Sequence, residues 1–471
     1  MTCHLAIDIG ASSGRHVLGF VEHGRLTTRE VYRFENEPVR RGGHLCWDAQ
    51  GLFRHIVAGM RQCRAEGLMP DTLAIDTWGV DFALLDADGG LLGDTIAYRD
   101  QRTRGMEAAV ERILPFADLY ARTGIQKQPF NTIYQLTALQ RQAPGMLERA
   151  DALLMMPDYL NYLLTGERQQ EYTNATTTAL VNAGAKRWDG VILDKLNLPR
   201  KLFGRLSLPG EMVGELLPAI AEQVGFRCRV LHAASHDTAS AFMAVPARSA
   251  NAAFLSSGTW SLLGLESASP IATPAAQTAN FTNEGGYGYR YRFLKNIMGL
   301  WMIQSIRREY GKRLSYAELE QAAREASHFP GRVDVNNPAF LAPDSMAGAI
   351  REACHSSGEP APETPGEMAA CIYQSLAAGY ADAIRELEQI TGKTIEALHI
   401  VGGGSKDDYL NRLTAQKTGL PVYAGPTEGT VIGNLLAQMI AVGTCKDLAE
   451  ARACVAESFP IKAYEAKEDN R

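Results

Sequence analysis

The segment LHAASHDTASA, residues 231–241, sets one full charge among small and weakly polar neighbours. His236 and Asp237 are adjacent, and Ser235, Thr238 and Ser240 surround them. A carboxylate among alanines is costly unless something pairs with it. Asp237 is therefore either a helix cap, since DTASAFMA could start a helix, or a group that meets a ligand. Two turns of small residues point to the class of ligand. GASSGR (residues 10–15) and SSGTWS (residues 256–261) carry no bulky side chain, so backbone N–H groups can approach an anion and hydroxyls can add donors. Arg15 adds a positive charge beside the first turn. One such turn in each half suits a phosphate chain gripped from two sides. Asp8, inside the first strand-like run, needs a partner of its own, and in a phosphate site magnesium is the natural one. VGGGSKDD (401–408) is a third turn where backbone could approach a ligand.

Composition removes several alternatives. A net charge of −6 over 471 residues lacks the basic excess of a nucleic-acid surface. No run approaches the roughly 18 apolar residues of a membrane helix. MTCHLAIDIG has no basic segment followed by a long apolar core, so no signal peptide is read and the cytoplasm is the expected location. The eight cysteines form no C-x-x-C pair, which disfavours zinc. They read as free buried thiols, with Cys354 and Cys371 near enough in sequence to pair if oxidised. The NAT string at Asn174 carries no glycosylation meaning in a cytosolic chain. Neither a G-x-x-x-x-G-K-[ST] loop nor a helix-opening G-x-G-x-x-G is present.

These residues need elements to hold them. LAIDIGASSGRHVLGFVE reads as strand, turn and strand, a hairpin turning at Gly10 to Gly14. AAFLSSGTWSLLGLE repeats the pattern about half a chain later, which hints at a duplication. TLAIDTWGVDFALLD predicts another strand pair bent at Trp78 and Gly79. Helices dominate from 105 to 225, including one in NTIYQLTALQRQAPG that stops at Pro144-Gly145. CIYQSLAAGYADAIRELEQI predicts a long helix with Ile372, Leu376, Tyr380, Ile384 and Leu387 on one face. After the strand ALHIV, Ser405 is the expected N-cap, with Asp407 and Asp408 in the first turn and Gly419 as the stop. The tail EAKEDNR reads as frayed. The class is α/β in two lobes, with the boundary between 242 and 250.

The strings AIDIGASSGR, SHDTASA, LSSGTWSLLG and HIVGGGSKDDYLN resemble the FGGY carbohydrate kinases of the actin-like ATPase superfamily. The resemblance runs from about residue 5 to 445. It implies two ribonuclease-H-like lobes, 1–244 carrying the sugar site and first phosphate loop and 245–471 carrying the ATP site, with a central interlobe cleft. IDTWGVDFALLD, MPDYLNYLLTG, EYTNATTT and LKNIMGLWMIQ resemble the branch of that family whose substrate is L-rhamnulose. Residue by residue, the resemblance makes Ala11, Ser12, Ser13, Gly14 and Arg15 the first phosphate loop and Thr259 part of the second. Gln304 and Gly402 line the nucleotide site. Gly79, His236, Asp237, Thr238 and Asn296 contact the sugar, and Asp237 is the catalytic base. GPTEGTVIGN departs from the usual family pattern at Gly429-Thr430, on the adenosine side.

The implied reaction moves the γ-phosphate of ATP, with Mg²⁺, to the 1-hydroxyl of L-rhamnulose. Phosphoryl transfer needs positioning, charge neutralisation and an acceptor for the hydroxyl proton, which gives Asp237 its purpose. Asp81 is the next carboxylate to consider for that task. The rival substrates are L-fuculose, xylulose or another polyol. A protein-moving actin-like ATPase is a rival of another class, disfavoured by the small polar neighbourhoods of Asp237 and Asn296, and a non-catalytic sugar sensor is a third, disfavoured by Asp8, Asp237 and both phosphate turns. The expected partners are a small sugar and ATP, with neither nucleic acid nor membrane; the oligomeric state is left open, with a monomer as one option.

Overall fold

The computed structural model describes residues 2–247, 249–341 and 343–466. The chain forms two compact units. One comprises Met1–Ala244, Glu266–Phe293 and Thr430–Ser458; the other comprises Val245–Leu265, Leu294–Gly429 and Phe459–Arg471.

The sheet of the first unit uses β1 (Cys3–Ile9), β2 (Ser13–Glu22), β3 (Arg25–Glu35), β4 (Thr72–Thr77), β5 (Met212–Glu215) and β6 (Arg229–His236), in the order β5-β6-β4-β1-β2-β3. β1 pairs antiparallel with β2, closing the expected hairpin, and parallel with β4. Every residue of β1 and β4 is buried. That explains their near-continuous apolar character, since a central parallel strand is covered on both faces. The expected hairpin at Trp78 and Gly79 does not form. β4 pairs with β1 and β6, whereas Phe82–Leu85 pairs antiparallel with Ala152–Met155. Alternation identified both runs as strands, but their partners are remote in sequence. The 105–225 stretch is helical, with short strands such as Gln170–Glu171 between the helices.

The second sheet repeats the pattern with β7 (Ala252–Ser257), β8 (Trp260–Ser267), β9 (Tyr291–Met298), β10 (Ala397–Val401), β11 (Val422–Ala424) and β12 (Lys462–Tyr464), in the order β9-β8-β7-β10-β11-β12, with the strand Thr282–Gly285 as a seventh beyond β9. In both sheets a hairpin's first strand lies in the middle and pairs parallel with a later strand. This is a ribonuclease-H-like core in each unit. The helix Pro365–Thr391 spans 27 residues and starts on a Thr364/Glu367 capping box. Its anticipated apolar residues are buried. The N-cap of the helix Asp408–Thr418 is Asp407, whose side chain accepts from Leu410 N–H, and not Ser405 as expected. The chain first makes a 3₁₀ turn over Gly403–Lys406 and shifts the helix start. Gly419 ends that helix with φ +70°.

Among the described residues no helix is long and apolar enough to cross a membrane. The cysteines are free thiols, all buried except the half-buried Cys454. Of the tail expected to fray, residues 467–471 lie outside the described residues.

Candidate active site

β1 ends in Asp8 and Ile9, and the chain then turns through the predicted phosphate loop. Gly10 N–H donates to Ser13 O at 2.9 Å, and Asn36 closes the turn from outside, donating to Ser12 O at 3.1 Å and Gly10 O at 2.8 Å. Ala11, Ser13 and Arg15 are half-buried and Ser12 is exposed. The Arg15 guanidinium reaches Asp8 Oδ2 through Nε at 2.9 Å and Nη2 at 2.8 Å. The partner that Asp8 needs within the protein is therefore Arg15.

A second carboxylate stands beside the first. Asp8 and Asp76 are register partners on parallel β1 and β4. Asn434, on the helix Gly429–Ala441, donates to Asp76 Oδ2 at 2.6 Å and to Ala74 O at 3.1 Å. Gln438 continues the network to Asn434 Oδ1 at 2.8 Å and Leu5 O at 3.0 Å. Burial, then the charge of Asp8, pushes the Asp76 carboxyl well above the usual carboxylate range. A hydrogen bond to a neutral acid is the physical outcome where two carboxylates share a buried site.

Asp237 stands where β6 gives way to a short helix. His236 is the N-cap, in extended conformation, and Asp237 is the first residue of the helix Asp237–Met243. Asp237 Oδ1 accepts from Thr238 N–H at 2.6 Å and from Thr238 Oγ1 at 3.1 Å. The side chain keeps 30% of its surface open. Burial raises its pKa, and the charge of Asp8 adds to that, while His236 and the Thr238 hydrogen bonds oppose it. A carboxylate whose proton affinity exceeds that of a free aspartate is a better base at neutral pH.

The string EYTNATTT is the joint between the Gly79 loop and the His236 loop. Glu171 is fully buried and accepts from Ser235 Oγ at 2.5 Å, Thr173 Oγ1 at 2.7 Å, Thr173 N–H at 2.8 Å and Asn174 N–H at 3.0 Å. Asn174 Nδ2 donates to Trp78 O at 3.2 Å and to Ser235 O at 3.3 Å, so one side chain ties the Gly79 loop to the His236 loop. Thr177 Oγ1 accepts from Val80 N–H at 3.0 Å, and Thr173 Oγ1 accepts from His236 N–H at 3.2 Å. Asn174, the residue of the glycosylation string, is thus a buried structural amide. Asp81 lies beneath Gly79 and is occupied: Trp47, Trp78, Gln135 and the Tyr98 backbone donate to it at 2.7, 2.9, 2.9 and 3.0 Å. At 1% exposure it is a structural acceptor.

The first unit therefore holds Asp8, Ala11 to Arg15, Gly79 and His236 to Thr238; the second holds Thr259, Asn296, Gln304 and Gly402. In the second unit Gly258 N–H donates to Trp260 O at 2.8 Å, tightening the turn that carries Thr259. Leu300 N–H donates to Gly258 O at 2.9 Å and Trp301 N–H to Thr259 O at 3.2 Å, which seats the helix Trp301–Glu309 on that turn. Gln304 lies one turn along it. Gly402 has φ +86°, and a Cβ there would fall 2.8 Å from Ser257 O. Close approach to the phosphate-type turn thus requires glycine at 402. The Asn296 Oδ1 atom is buried with no hydrogen-bond partner. Among the described residues no group of three His, Cys, Asp or Glu side chains is placed to hold a metal ion.

Models of the FGGY family of carbohydrate kinases match residues 3–244 (N-terminal domain) and 253–442 (C-terminal domain). The chain belongs to the FGGY family of carbohydrate kinases. It is similar to the rhamnulokinase of Halalkalibacterium halodurans, with 46% identity covering 98% of this chain and 99% of that one. It is also similar to the rhamnulokinases of Bacillus subtilis (43%, covering 99% and 96%) and Bacteroides thetaiotaomicron (42%, covering 98% and 95%). Among solved structures, a ligand-bound xylulose kinase of Lactobacillus acidophilus shares the fold at a TM-score of 0.81 and 16% identity, covering 99% of this chain and 94% of that one. Plasmodium falciparum glycerol kinase with ADP shares it at 0.81 and 14%, covering 100% and 95%.

As an FGGY kinase the chain is an ATP-dependent sugar kinase. Several residues of its site escaped the sequence reading. Asp76 had a signal: Leu73-Ala74-Ile75-Asp76 repeats Leu5-Ala6-Ile7-Asp8, and the two stretches pair residue for residue. Glu171 and Asn174 lie in the quoted string EYTNATTT, but nothing local in that string gave their partners, which lie at remote positions.

Proposed function

We propose that this FGGY kinase transfers the γ-phosphate of ATP to the 1-hydroxyl of L-rhamnulose, giving L-rhamnulose 1-phosphate and ADP. The observation that carries this reading is near-full-length similarity to rhamnulokinases at 42–46% identity. In the proposed reaction the sugar oxygen attacks the γ-phosphorus, its proton passes to Asp237, and the bond from phosphorus to the ADP oxygen breaks. Gly79, His236, Thr238 and Asn296 hold the sugar, and the buried unpaired Oδ1 of Asn296 supports that role. Ala11 to Arg15 and Thr259 hold phosphates, while Gln304 and Gly402 line the nucleotide. In these terms 1–244 is the sugar-binding domain with the first phosphate loop and 245–471 the ATP-binding domain.

Mg²⁺ fits the donor set of the first unit. The carboxylates of Asp8, Asp76 and Asp237 act on one another electrostatically, with Arg15 the counter-charge on Asp8. Magnesium keeps several waters and takes only one or two carboxylates beside substrate phosphates, so a preformed cage is not required. Asp8 would hold it, and the bound ion would neutralise phosphate charge. The cytoplasm is the proposed location.

An ADP-release assay over a panel of ketoses and polyols tests the substrate. L-rhamnulose is expected to give the highest kcat/KM, and ADP release is expected to need both sugar and Mg²⁺. If xylulose, glycerol or L-fuculose exceeded it about tenfold, a gap of about 1.4 kcal/mol in transition-state binding, the substrate assignment would fall while the kinase assignment stood.

A further inference from the structure

His236 faces two buried charges that the proposed sugar chemistry does not use. Glu284, on the strand Thr282–Gly285, and Arg292, on β9, belong to one hairpin closed by Gly286 N–H donating to Arg290 O at 2.7 Å. The Arg292 side chain keeps 1% of its surface and that of Glu284 keeps 7%. Arg292 Nε donates to Gly285 O at 3.0 Å, and Gly285 N–H in turn donates to Thr176 Oγ1 at 2.8 Å. The guanidinium is therefore anchored to the same joint that holds the Gly79 and His236 loops. Its Nη2 lies 3.0 Å from His236 Nδ1 in hydrogen-bonding geometry. Glu284 Oε2 lies 3.0 Å from Nη2 and 3.2 Å from Nδ1, in ion-pair contact but without an aligned hydrogen bond. On the other side of the ring, His236 Nε2 stands 3.4 Å from Asp237 Oδ1.

A guanidinium has donors only. A proton on His236 Nδ1 would point at one of them across 3.0 Å, and Glu284 offers no aligned alternative. The geometry points to Arg292 and Glu284 as positioning residues for His236: Arg292 donates to Nδ1, Glu284 neutralises Arg292, and the ring is held as the Nε2–H tautomer with that N–H toward Asp237. The inference rests on the reading that His236 and Asp237 form the sugar site. A buried ion pair contributes little net stability compared with apolar residues of the same size. What it supplies here is a fixed donor behind the ring, as outer groups do when they set the tautomer of a working histidine.

The consequence falls on Asp237. Its Oδ1 takes Thr238 N–H and Thr238 Oγ1, and the Nε2–H is directed to the same oxygen. All three donors gather on Oδ1, which leaves Oδ2 as the atom that receives the hydroxyl proton. If the ring turned to the Nδ1–H tautomer, Nε2 would present a lone pair to the Asp237 carboxylate, and the carboxylate would rotate away from it.

The test reads the tautomer directly. Full-length protein with ¹⁵N-labelled histidine is recorded without sugar or nucleotide in a long-range ¹H–¹⁵N correlation, and His236→Gln identifies the His236 signals among the ten histidines. The expected pattern is a protonated Nε2 and an unprotonated Nδ1; a protonated Nδ1 in the native protein would overturn the proposal. Because no sugar is added, this result does not depend on which ketose is the substrate. Arg292→Met is then expected to lose the Nε2–H pattern and to raise the sugar KM at least about tenfold while leaving the ATP KM within about twofold. An unchanged tautomer with an unchanged sugar KM would overturn it as well. Should Arg292→Met fail to fold, Arg292→Gln is read by the same criteria, and the native tautomer decides by itself.

Discussion

Gly79 and Thr177 meet at the α-carbon: a methyl group on Gly79 would lie 2.9 Å from Thr177 Cγ2 and 3.1 Å from Oγ1. Thr177 has no room to turn, because its Oγ1 accepts from Val80 N–H at 3.0 Å and donates to Asn174 O at 2.7 Å. Glycine is needed at 79 for close approach. Gly79→Ala is expected to push the 78–80 loop away from Thr177, at a cost of about 1–3 kcal/mol, and to raise the sugar KM far more than the ATP KM. Thr177→Ser removes Cγ2 and keeps the hydroxyl. The pair Gly79→Ala/Thr177→Ser should therefore recover part of both losses. Thermal midpoints and the two KM values decide, and a double variant no better than the single would show that the methyl contact is not the cause.

Glu171 holds the His236 loop through Ser235. Its two oxygens accept four hydrogen bonds between 2.5 and 3.0 Å, three of them from residues 173 and 174 and one from Ser235. A glutamine puts an NH₂ where one of those oxygens stood, so donors oppose donors in a buried place. Leaving such groups unsatisfied costs about 1–3 kcal/mol each. Glu171→Gln is expected to lose at least that much stability by urea denaturation and to weaken sugar binding, since Ser235 directly precedes His236. Full stability with normal sugar KM would contradict the joint described here.

His232 provides a pH test on the same strand. Burial holds its ring neutral and lowers its pKa to about 3, whereas in the unfolded chain it titrates near about 6.5. Between these values the unfolded chain binds the extra proton, so stability falls as pH drops. The contribution is complete above about pH 6.5 and has lost about 2 kcal/mol by about pH 5, at about 1.4 kcal/mol per unit. Burial also raises the carboxyls of Asp76, Asp158 and Glu171, which act with the opposite sign, so the whole-protein slope mixes both. The difference between wild type and His232→Gln isolates the ring. That difference should shrink by about 2 kcal/mol from pH 7.5 to 5. A difference that stays constant with pH would mean that the buried ring gains its proton without penalty.

Local signals in the sequence led to local features. Both hairpins were legible because two alternating runs flank a few small residues, and the long helix because its apolar face repeats from Ile372 to Leu387, over about four turns. The helix start after Gly402 was missed by two residues: Ser405, Asp407 and Asp408 all suit a cap, and the positive φ of Gly402 sends the chain through a 3₁₀ turn before the helix begins. The Trp78–Gly79 bend was visible, but strand partners 67 or more residues away were not. The same limit hid most of the site's framework. Asp237, Asp8 and the two turns of small residues stand out by their neighbours, whereas Glu171 is defined by Ser235 and Arg292 by His236, contacts 64 and 56 positions apart.

Asp237→Asn separates the two roles that the carboxylate could have. Asparagine keeps an oxygen for the Thr238 N–H at 2.6 Å, and position 237 is the first helical residue rather than the cap, which is His236, so fold, ATP binding and much of the sugar binding should persist. What it loses is basicity. General-base catalysis contributes about 10²–10⁴-fold, and kcat should fall by that factor, equivalent to about 3–5 kcal/mol. The pH profile adds an independent check. Burial and the Asp8 charge raise the Asp237 pKa above the ordinary aspartate value, and the base works only when ionised. Wild-type kcat/KM should therefore decline as pH falls through a value above that of free aspartate, and the residual rate of Asp237→Asn should lack this acid limb. Near-normal kcat at saturating L-rhamnulose would remove Asp237 from the mechanism. Asp81 could not replace it, because Trp47, Trp78, Gln135 and Tyr98 already donate to its carboxylate.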